Sequence, residues 1–445
     1  MSDKLFGTDG VRGVAGEWPL DARTVTRLGA ALVRTLAVPQ GPRLIVGRDT
    51  RESGEWIERA LANGAVWAGA HVTSAGVVPT PAVAYLAGAL DFDLGVVLSA
   101  SHNPYADNGI KVFSGHGQKF GEAAERAVEA IVADPSWTVP ESAAATIVQQ
   151  PLVDAYLAHV SQLLPSVSRL RGARLAIDMA NGATTATAAR VLDHLGFELV
   201  TTGDRPDGRN INLECGSTHP QGLARAVVES RCLLGIAFDG DGDRAIFVDH
   251  TGRIVDGDAV LLMLARARQR EGRLAHETVV ATVMSNIGLE IALRRHGIRL
   301  VRTGVGDKYV MEEMVRGGFV LGGEQSGHII LAEHLATGDG VATALAILSV
   351  LEETGQSLAE LAAELVTYPQ TLVNVRVREK VPVASIPAVA DAIRQVESAL
   401  DGQGRVLVRY SGTEPLLRIM IEGPTQSAVD GWAEQIAVSV RTHLC

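Results

Sequence analysis

Short apolar runs alternate with stretches of helical period almost from one end of the chain to the other. The runs 43–46, 95–98, 175–178, 235–238, 279–283 and 319–321 predict strands. The segments 24–36, 56–68, 184–195, 258–269 and 338–354 predict helices. Strands separated by helices indicate parallel βαβ units. Three of the strands run straight into chemistry. Leu98 leads into Ser99 and Ser101, Phe238 into Asp239, and Leu321 into Gly322, Gly323 and Glu324. In open α/β sheets ligands bind beyond the carboxyl ends of strands. Three such endings, roughly a domain apart, predict three α/β units around one cleft.

The breaks between units are weakly marked. DPSWTVP at 134–140 closes the first unit, and the hairpin-like stretch 246–255 closes the second. A third break falls at 368–370, before TLVNVRVREK, which alternates as a strand does. Beyond it, strands and helices mix without a parallel pattern. The reading is four domains: 1–152, 153–254, 255–369 and a smaller α+β domain over 370–445. A length of 445 residues is too great for one hydrophobic core and agrees with that number.

Composition narrows the partners. Apolar residues make up 47% and charged residues 20%, as in ordinary folded proteins. The net charge of −11 argues against nucleic acid, whose binding needs basic surface to displace counterions. It leaves room for a small anion, because a local arginine cluster can reverse the field within one cleft. Cys215, Cys232 and Cys445 show no repeated spacing and read as reduced thiols. The opening MSDKLFGTDG has no apolar signal core, and no apolar run approaches the roughly 18 residues that span a bilayer. The expectation is a cytoplasmic protein with no membrane partner.

Two segments carry most of the chemical information. In SASHNP, 99–104, Ser101 is flanked by His102, Asn103 and Pro104, with Gly109 and Lys111 following. A lone serine is a poor nucleophile without a base or cation beside it. Taken alone, the six residues read as an Asn-Pro turn with capping hydroxyls. A hydrolase triad fits poorly, since adjacent Ser and His side chains diverge and no G-x-S-x-G elbow surrounds Ser101. In DGDGDR, 239–244, alternate residues of an extended chain share a side, so Asp239, Asp241 and Asp243 can converge. Gly240 and Gly242 let the backbone curl. Three close carboxylates raise one another's pKa unless a cation neutralises them. All-oxygen ligation selects Mg²⁺ or Ca²⁺. The competing readings are a solvated acidic turn, an aspartyl-phosphate phosphatase using Asp239, and an EF-hand loop. The last needs a bidentate Glu at its twelfth place, where this chain has His250. A hydroxyl to carry a phosphoryl group and an acidic loop to hold a hard cation against it together point to phosphoryl transfer.

Four further segments offer ligand contacts. RYSGTEPLLR, 409–418, resembles an anion cradle, with Arg409 and Arg418 for bidentate contacts, hydroxyls on Ser411 and Thr413, and Gly412 exposing backbone N–H groups. GGEQSGH, 322–328, places Glu324 and Ser326 two apart, so both face one ligand in an extended loop. Carboxylate and hydroxyl suit sugar hydroxyls or an amino group. FGTDGVRG, 6–13, puts Arg12 in a glycine-rich loop. In GRDTRESG, 47–54, Arg48 and Arg51 either orient the serine loop or pair with Asp49 and Glu52. Each of these, in isolation, is more often an ordinary turn.

In this order FGTDGVRG, SASHNPYADNGIK, DGDGDR, GGEQSGH and RYSGTEPLLR resemble the α-D-phosphohexomutase superfamily nearly end to end. The FGTDGVRG opening and Gln325 are similar to its bacterial branch acting on glucosamine phosphates. The resemblance implies three related α/β domains with mixed sheets, a smaller C-terminal α+β domain, and an active-site cleft at their junction. It implies Ser101 as phosphoserine, with Asp239, Asp241 and Asp243 holding one Mg²⁺ together with a phosphoserine oxygen. Arg244, Glu324 and Ser326 would contact the sugar. Arg409, Ser411, Gly412, Thr413 and Arg418 would grip the phosphate that is not reacting. Arg12, Lys111 and His328 are candidates for acid–base work or charge stabilisation, with no base assigned among them, and His102 would orient the serine loop. The implied reaction interconverts glucosamine 6-phosphate and glucosamine 1-phosphate through a glucosamine 1,6-bisphosphate that turns around in the site. Its product would feed UDP-N-acetylglucosamine and cell-wall precursors. Glucose or mannose phosphates are the alternative substrates, and a Ca²⁺- or sugar-phosphate-binding protein that kept the fold is the alternative class. The bacterial branch is commonly dimeric, so a homodimer stays open.

Overall fold

The computed structural model describes residues 4–7, 9–36, 38, 41–140, 144–411 and 415–444. The chain forms two compact units, one from Met1–Met284 and Ile298–Ala363, the other from Ser285–Gly297 and Glu364–Cys445.

Among the described residues the first unit builds three sheets. The first has the strand order Val11–Val14, Asp107–Ser114, Leu94–Leu98, Arg43–Arg48, His71–Val77, Ile147–Gln149. Its last four strands run parallel, and Asp107–Ser114 runs antiparallel to both its neighbours. The second sheet orders Ile254–Val255, Ala245–Asp249, Leu234–Phe238, Arg174–Asp178 and Glu198–Thr202. The third orders Arg299–Thr303, Thr278–Thr282, Leu321–Gly323 and Ile329–Leu331.

One device recurs in all three. A parallel strand ends, the chain turns within a few residues, and the next strand returns antiparallel beside it. The parallel units expected from the alternation are present, and these returns make the sheets mixed, as the resemblance implied. Residues 99–106, 239–244 and 324–328 are too few for the crossover helix that a parallel return demands.

Local sequence explains the elements. LGVVL at 94–98 and LGIAF at 234–238 are buried along their whole length, as strands covered on both faces are. Helix Ala22–Arg34 starts where Asp21 accepts the Thr24 N–H at 3.0 Å, and it buries Val25, Leu28 and Leu32 at helical spacing. Helix Gly340–Thr354 is capped by Asp339 and stops at Gly355, whose φ of 69° is left-handed.

Two expectations shift. The helix expected over 184–195 breaks at Thr187 into a short turn, Ala183–Ala186, and a helix, Ala188–His194. Thr185 and Thr187 donate their hydroxyls to the carbonyls of Gly182 and Thr184, which competes with helical pairing. The strand expected over 319–321 begins only at Leu321, because the Phe319 N–H still donates to Met314 in the C-terminal turn of helix Asp307–Gly317.

The second unit carries an antiparallel sheet ordered Gln370–Arg376, Leu416–Glu422, Arg405–Tyr410. Helices Pro387–Leu400 and Gln426–Leu444 bury Val389, Val396, Ala433, Ile436 and Val440 in its core. Helix Ile287–Arg295 belongs here too: the Asn286 amide donates to the Tyr368 carbonyl at 3.0 Å. No helix among the described residues is long and apolar enough to cross a membrane.

Candidate active site

The three tight returns of the first unit hold the serine, the acidic triplet and Glu324. After strand Leu94–Leu98, Ser101 adopts a φ of 52°, in the left-handed region. Holding a serine there costs about 1–3 kcal/mol, and its neighbours stabilise it. The Ser101 N–H donates to Ser99 Oγ at 2.9 Å. Its carbonyl accepts from Arg51 Nη2 at 3.2 Å and from Asn212 Nδ2 at 2.9 Å. Beneath the loop, Arg51 and the Ser99 hydroxyl both bond the buried carboxylate of Asp49. Arg51 thus orients the loop and pairs with Asp49 at once. Arg48 instead pairs with Glu55 and Glu58, and Glu52 with Arg209.

The Ser101 hydroxyl donates to Asp239 Oδ2 at 2.6 Å, across 138 residues of sequence. Asp239, Asp241 and Asp243 are all buried, and each offers an oxygen within 4.8 Å of the others. They converge through a tight turn, not through the extended chain their spacing suggested: Gly242 has a φ of 72°, and its N–H donates to the Asp239 carbonyl at 3.2 Å. At Gly240 a Cβ would lie 2.5 Å from the Ser101 carbonyl oxygen, so a side chain there would force the two loops apart. The triplet sits between two antiparallel strands, which removes the helix–loop–helix of an EF-hand.

Electrostatics suit a cation. Lys111 Nζ lies 2.8 Å from Asp241 Oδ2, 3.1 Å from Asp9 Oδ2 and 3.4 Å from Asp243 Oδ2. Burial works against its charge, but Asp241, Asp9 and Asp243 outweigh it and raise its pKa well above the ordinary value. Burial also opposes ionisation of Asp243, yet Lys111 and His328 hold it well below the usual carboxylate range. Burial and Asp243 oppose ionisation of Asp241, which Lys111 and the Thr80 hydroxyl nevertheless lower. Asp239 goes the other way: burial, then the charges of Asp243 and Asp241, push its carboxyl well up. Lys111, His328 and Arg244 offset the triplet's charge in part. Asp241 Oδ1 and Asp243 Oδ1 are buried and accept no hydrogen bond. Oxygens of this kind fit a hard divalent cation.

Beside the triplet lies a cavity of about 560 Å³, within the range for small-molecule sites. Arg12, His102, Arg244, Asp307, Glu324 and His328 are on its wall. Arg12 Nη1 donates to the Ala100 carbonyl at 3.4 Å and pairs with Asp9. His102 Nδ1 stands 3.4 Å from Ser101 Oγ. The Arg244 N–H donates to Asp239 Oδ1 at 3.2 Å, and its Nε lies 3.6 Å from Asp243 Oδ1. His328 Nε2 accepts the Gly338 N–H at 3.1 Å, which leaves Nδ1 facing Asp243 Oδ2 at 3.5 Å. Glu324 Oε1 accepts the Gly306 N–H at 3.3 Å. Ser326 does not join it on the wall. The Gly327 N–H closes a turn onto the Glu324 carbonyl at 3.0 Å, and Ser326 is left exposed where an extended loop was expected. Gln325 turns to Asp256, donating at 3.0 Å.

An ion network beside the site escaped the sequence reading. Lys119 bridges Asp9, at 2.7 Å, and Asp307, and Asp9 in turn holds Arg12 and Lys111. Asp9 sits inside FGTDGVRG, where its charge was the available signal. Lys119 and Asp307 are 188 residues apart and leave no local pattern.

In the second unit Arg409 and Arg418 stand directly opposite each other across antiparallel strands. Like charges so placed are disfavoured unless an anion lies between them. The buried Ser411 donates its N–H to the Leu416 carbonyl at 2.8 Å, and its own carbonyl accepts from Lys380 at 2.7 Å. Gly412 and Thr413 lie outside the described residues.

Four family models match the chain: phosphoglucomutase/phosphomannomutase α/β/α domain I over residues 3–138, domain II over 154–252, domain III over 256–368 and the C-terminal domain over 372–439. A protein of Solibacter usitatus named phosphoglucosamine mutase is 51% identical over 447 residues, covering all of both chains. One of the same name from Syntrophotalea carbinolica is 44% identical, covering all of this chain and 98% of its own. Among solved structures, a phosphoglucomutase/phosphomannomutase family protein from Burkholderia thailandensis has a TM-score of 0.81 at 24% identity, covering 99% of this chain and 98% of its own. The N-acetylphosphoglucosamine mutase of Aspergillus fumigatus, in complex with GlcNAc-6P and magnesium, has a TM-score of 0.70 at 20% identity, covering 98% and 95%.

Proposed function

Because the chain belongs to the phosphoglucomutase/phosphomannomutase family and is an isomerase that moves a phosphoryl group, we propose that it interconverts glucosamine 6-phosphate and glucosamine 1-phosphate through a phosphorylated Ser101. The observation that carries this reading is the buried Ser101 hydroxyl, 2.6 Å from Asp239 and beside a cavity sized for a small ligand. The choice of amino sugar is supported by the name shared by the full-length relatives at 44–51% identity.

Phosphorylated Ser101 would donate to the free hydroxyl of the bound sugar phosphate. The bond from Ser101 Oγ to phosphorus breaks as the sugar oxygen bonds to it, and the hydroxyl proton passes to a base. The resulting glucosamine 1,6-bisphosphate presents its other phosphate; Ser101 Oγ would bond to that phosphorus as the sugar oxygen–phosphorus bond breaks, the serine proton passing to the base and the released sugar oxygen taking up a proton. Asp239, Asp241 and Asp243 would hold Mg²⁺ with a serine phosphate oxygen; bound there, the ion supplies positive charge at the oxygens where charge develops.

The chain's own groups do the rest. Lys111, kept charged by three carboxylates, enters as a proton donor or stabilising cation. Arg12 and Arg244 place positive charge on the cavity wall, and His328 is the remaining acid–base candidate there. Glu324, on the cavity wall, would bind sugar hydroxyls. Arg409, Ser411, Gly412, Thr413 and Arg418 would hold the phosphate that is not reacting.

The test combines intact mass with a substrate panel. The purified protein should carry one phosphate, lost in Ser101→Ala. Its kcat/KM should be highest for glucosamine phosphates against glucose and mannose phosphates. Turnover by a protein that never carries phosphate, without added bisphosphate, would refute the cycle.

A further inference from the structure

Helix Thr80–Ala89 belongs to the first sheet's layer, yet its first residue reaches the acidic triplet of the second. The Thr80 N–H donates to the Asp241 carbonyl at 2.8 Å, and the Thr80 hydroxyl donates to Asp241 Oδ2 at 2.6 Å. Thr80 has no solvent exposure and Asp241 has 1%. Lys111 Nζ donates to the same Oδ2 at 2.8 Å. The two donors thus occupy one carboxylate oxygen, while Oδ1 is buried and accepts no hydrogen bond. A carboxylate held on one oxygen cannot rotate freely, so its other oxygen points in a fixed direction. Partners behind a metal ligand act in this way, setting its orientation and basicity.

We propose that Thr80 is a positioning residue for the divalent cation, its hydroxyl holding Asp241 Oδ2 so that Oδ1 is presented as the ligating atom. The proposal rests on the reading that the acidic triplet binds Mg²⁺. Lys111 alone would not suffice. Its ammonium is shared with Asp9 and Asp243, so it fixes no single direction for Asp241. The Thr80 hydroxyl, on a helix start whose backbone is itself bonded to the loop, does.

The test titrates Mn²⁺ into the full-length protein and follows the free ion by electron paramagnetic resonance. Thr80→Val, which keeps the shape and removes the hydroxyl, should weaken Mn²⁺ binding about 10- to 100-fold, the usual effect of losing such a partner. Thr80→Ser should restore it close to wild type. In turnover assays Thr80→Val should raise the Mg²⁺ concentration needed for half-maximal rate and leave the KM for the sugar phosphate unchanged. Thr80→Ala carries the same expectation should the valine variant fail to fold. Wild-type Mn²⁺ affinity in Thr80→Val, or equal loss in Thr80→Ser, overturns the positioning role alone. Undiminished Mn²⁺ binding in Asp241→Asn overturns the metal reading itself and this proposal with it.

Discussion

Ser101 and Asp239, 138 positions apart, share a hydrogen bond of 2.6 Å inside the protein, with the serine donating. The contact joins two turns that each end a fully buried strand, Leu94–Leu98 and Leu234–Phe238. If the hydroxyl carries the phosphoryl group, Ser101→Ala should show no turnover above background while its melting temperature stays near wild type, because only one side-chain bond on a well-held loop is lost. Activity in that variant, measured without added bisphosphate, would remove Ser101 from the reaction.

The contact depends on a residue with no side chain. A Cβ at Gly240 would meet the Ser101 carbonyl at 2.5 Å. Gly240→Ala should therefore push the two loops apart and cut kcat sharply in a protein that still folds. Steady-state kinetics beside circular dichroism would show it, and a variant with wild-type kcat would mean that the loops need not touch.

Lys111 is an ammonium enclosed by Asp241, Asp9 and Asp243, with 2% exposure. Lys111→Met leaves these carboxylates without their shared cation, and breaking a buried pair in this way costs about 3–5 kcal/mol. Added Mg²⁺ should recover part of the loss, since a ligand bound only to the folded state stabilises it. Chemical denaturation with and without Mg²⁺ is the measurement; a loss insensitive to Mg²⁺ would speak against a cation at the triplet.

Glu352 supplies a pH test away from the site. Its carboxylate accepts backbone N–H groups from Arg169, Leu170 and Ser168 and the Ser168 hydroxyl, and the Arg169 N–H leads in lowering its pKa from 4.5 to about 2. A depressed carboxyl contributes stability that is present above the unfolded value and lost as pH falls through the folded one. Glu352→Gln should then melt below wild type at pH 6, and the gap should close as the pH drops from 4.5 toward 2. A gap that is constant with pH would show that the charge does not matter.

Arg418 faces Arg409 across paired strands, an arrangement that an anion relieves. Arg418→Ala should raise the KM for the sugar phosphate far more than it lowers the melting temperature. An unchanged KM would discount the cradle.

Legibility in the sequence followed the range of the interaction. DGDGDR announced its three carboxylates because they sit within five positions of one another. Their convergence by a turn was partly visible in the glycines, and the positive φ of Gly242 completes it. The strands LGVVL and LGIAF were plain from their apolar content. Their antiparallel returns entered only through the resemblance, since strand–helix alternation indicates parallel units and the short loops between these strand pairs lie outside that pattern. Thr187 broke an expected helix through a hydroxyl bond that periodicity does not register. Lys119, Asn212 and Thr80 reach the site through partners more than a hundred residues away, Asp307 among those of Lys119, and no local spacing encodes them.

The acidic turn 239–244 takes backbone donors from the first turns of two helices outside its own sheet: Thr80 gives its N–H to the Asp241 carbonyl, and Gly340 gives its N–H to the Gly242 carbonyl at 3.0 Å. A fragment confined to residues 153–254 would lack both donors and Lys111 as well, leaving three anions to repel one another. If the triplet holds a divalent ion, the shape it offers that ion is set only when all three layers have met, and ion uptake during refolding would serve as a clock for that moment.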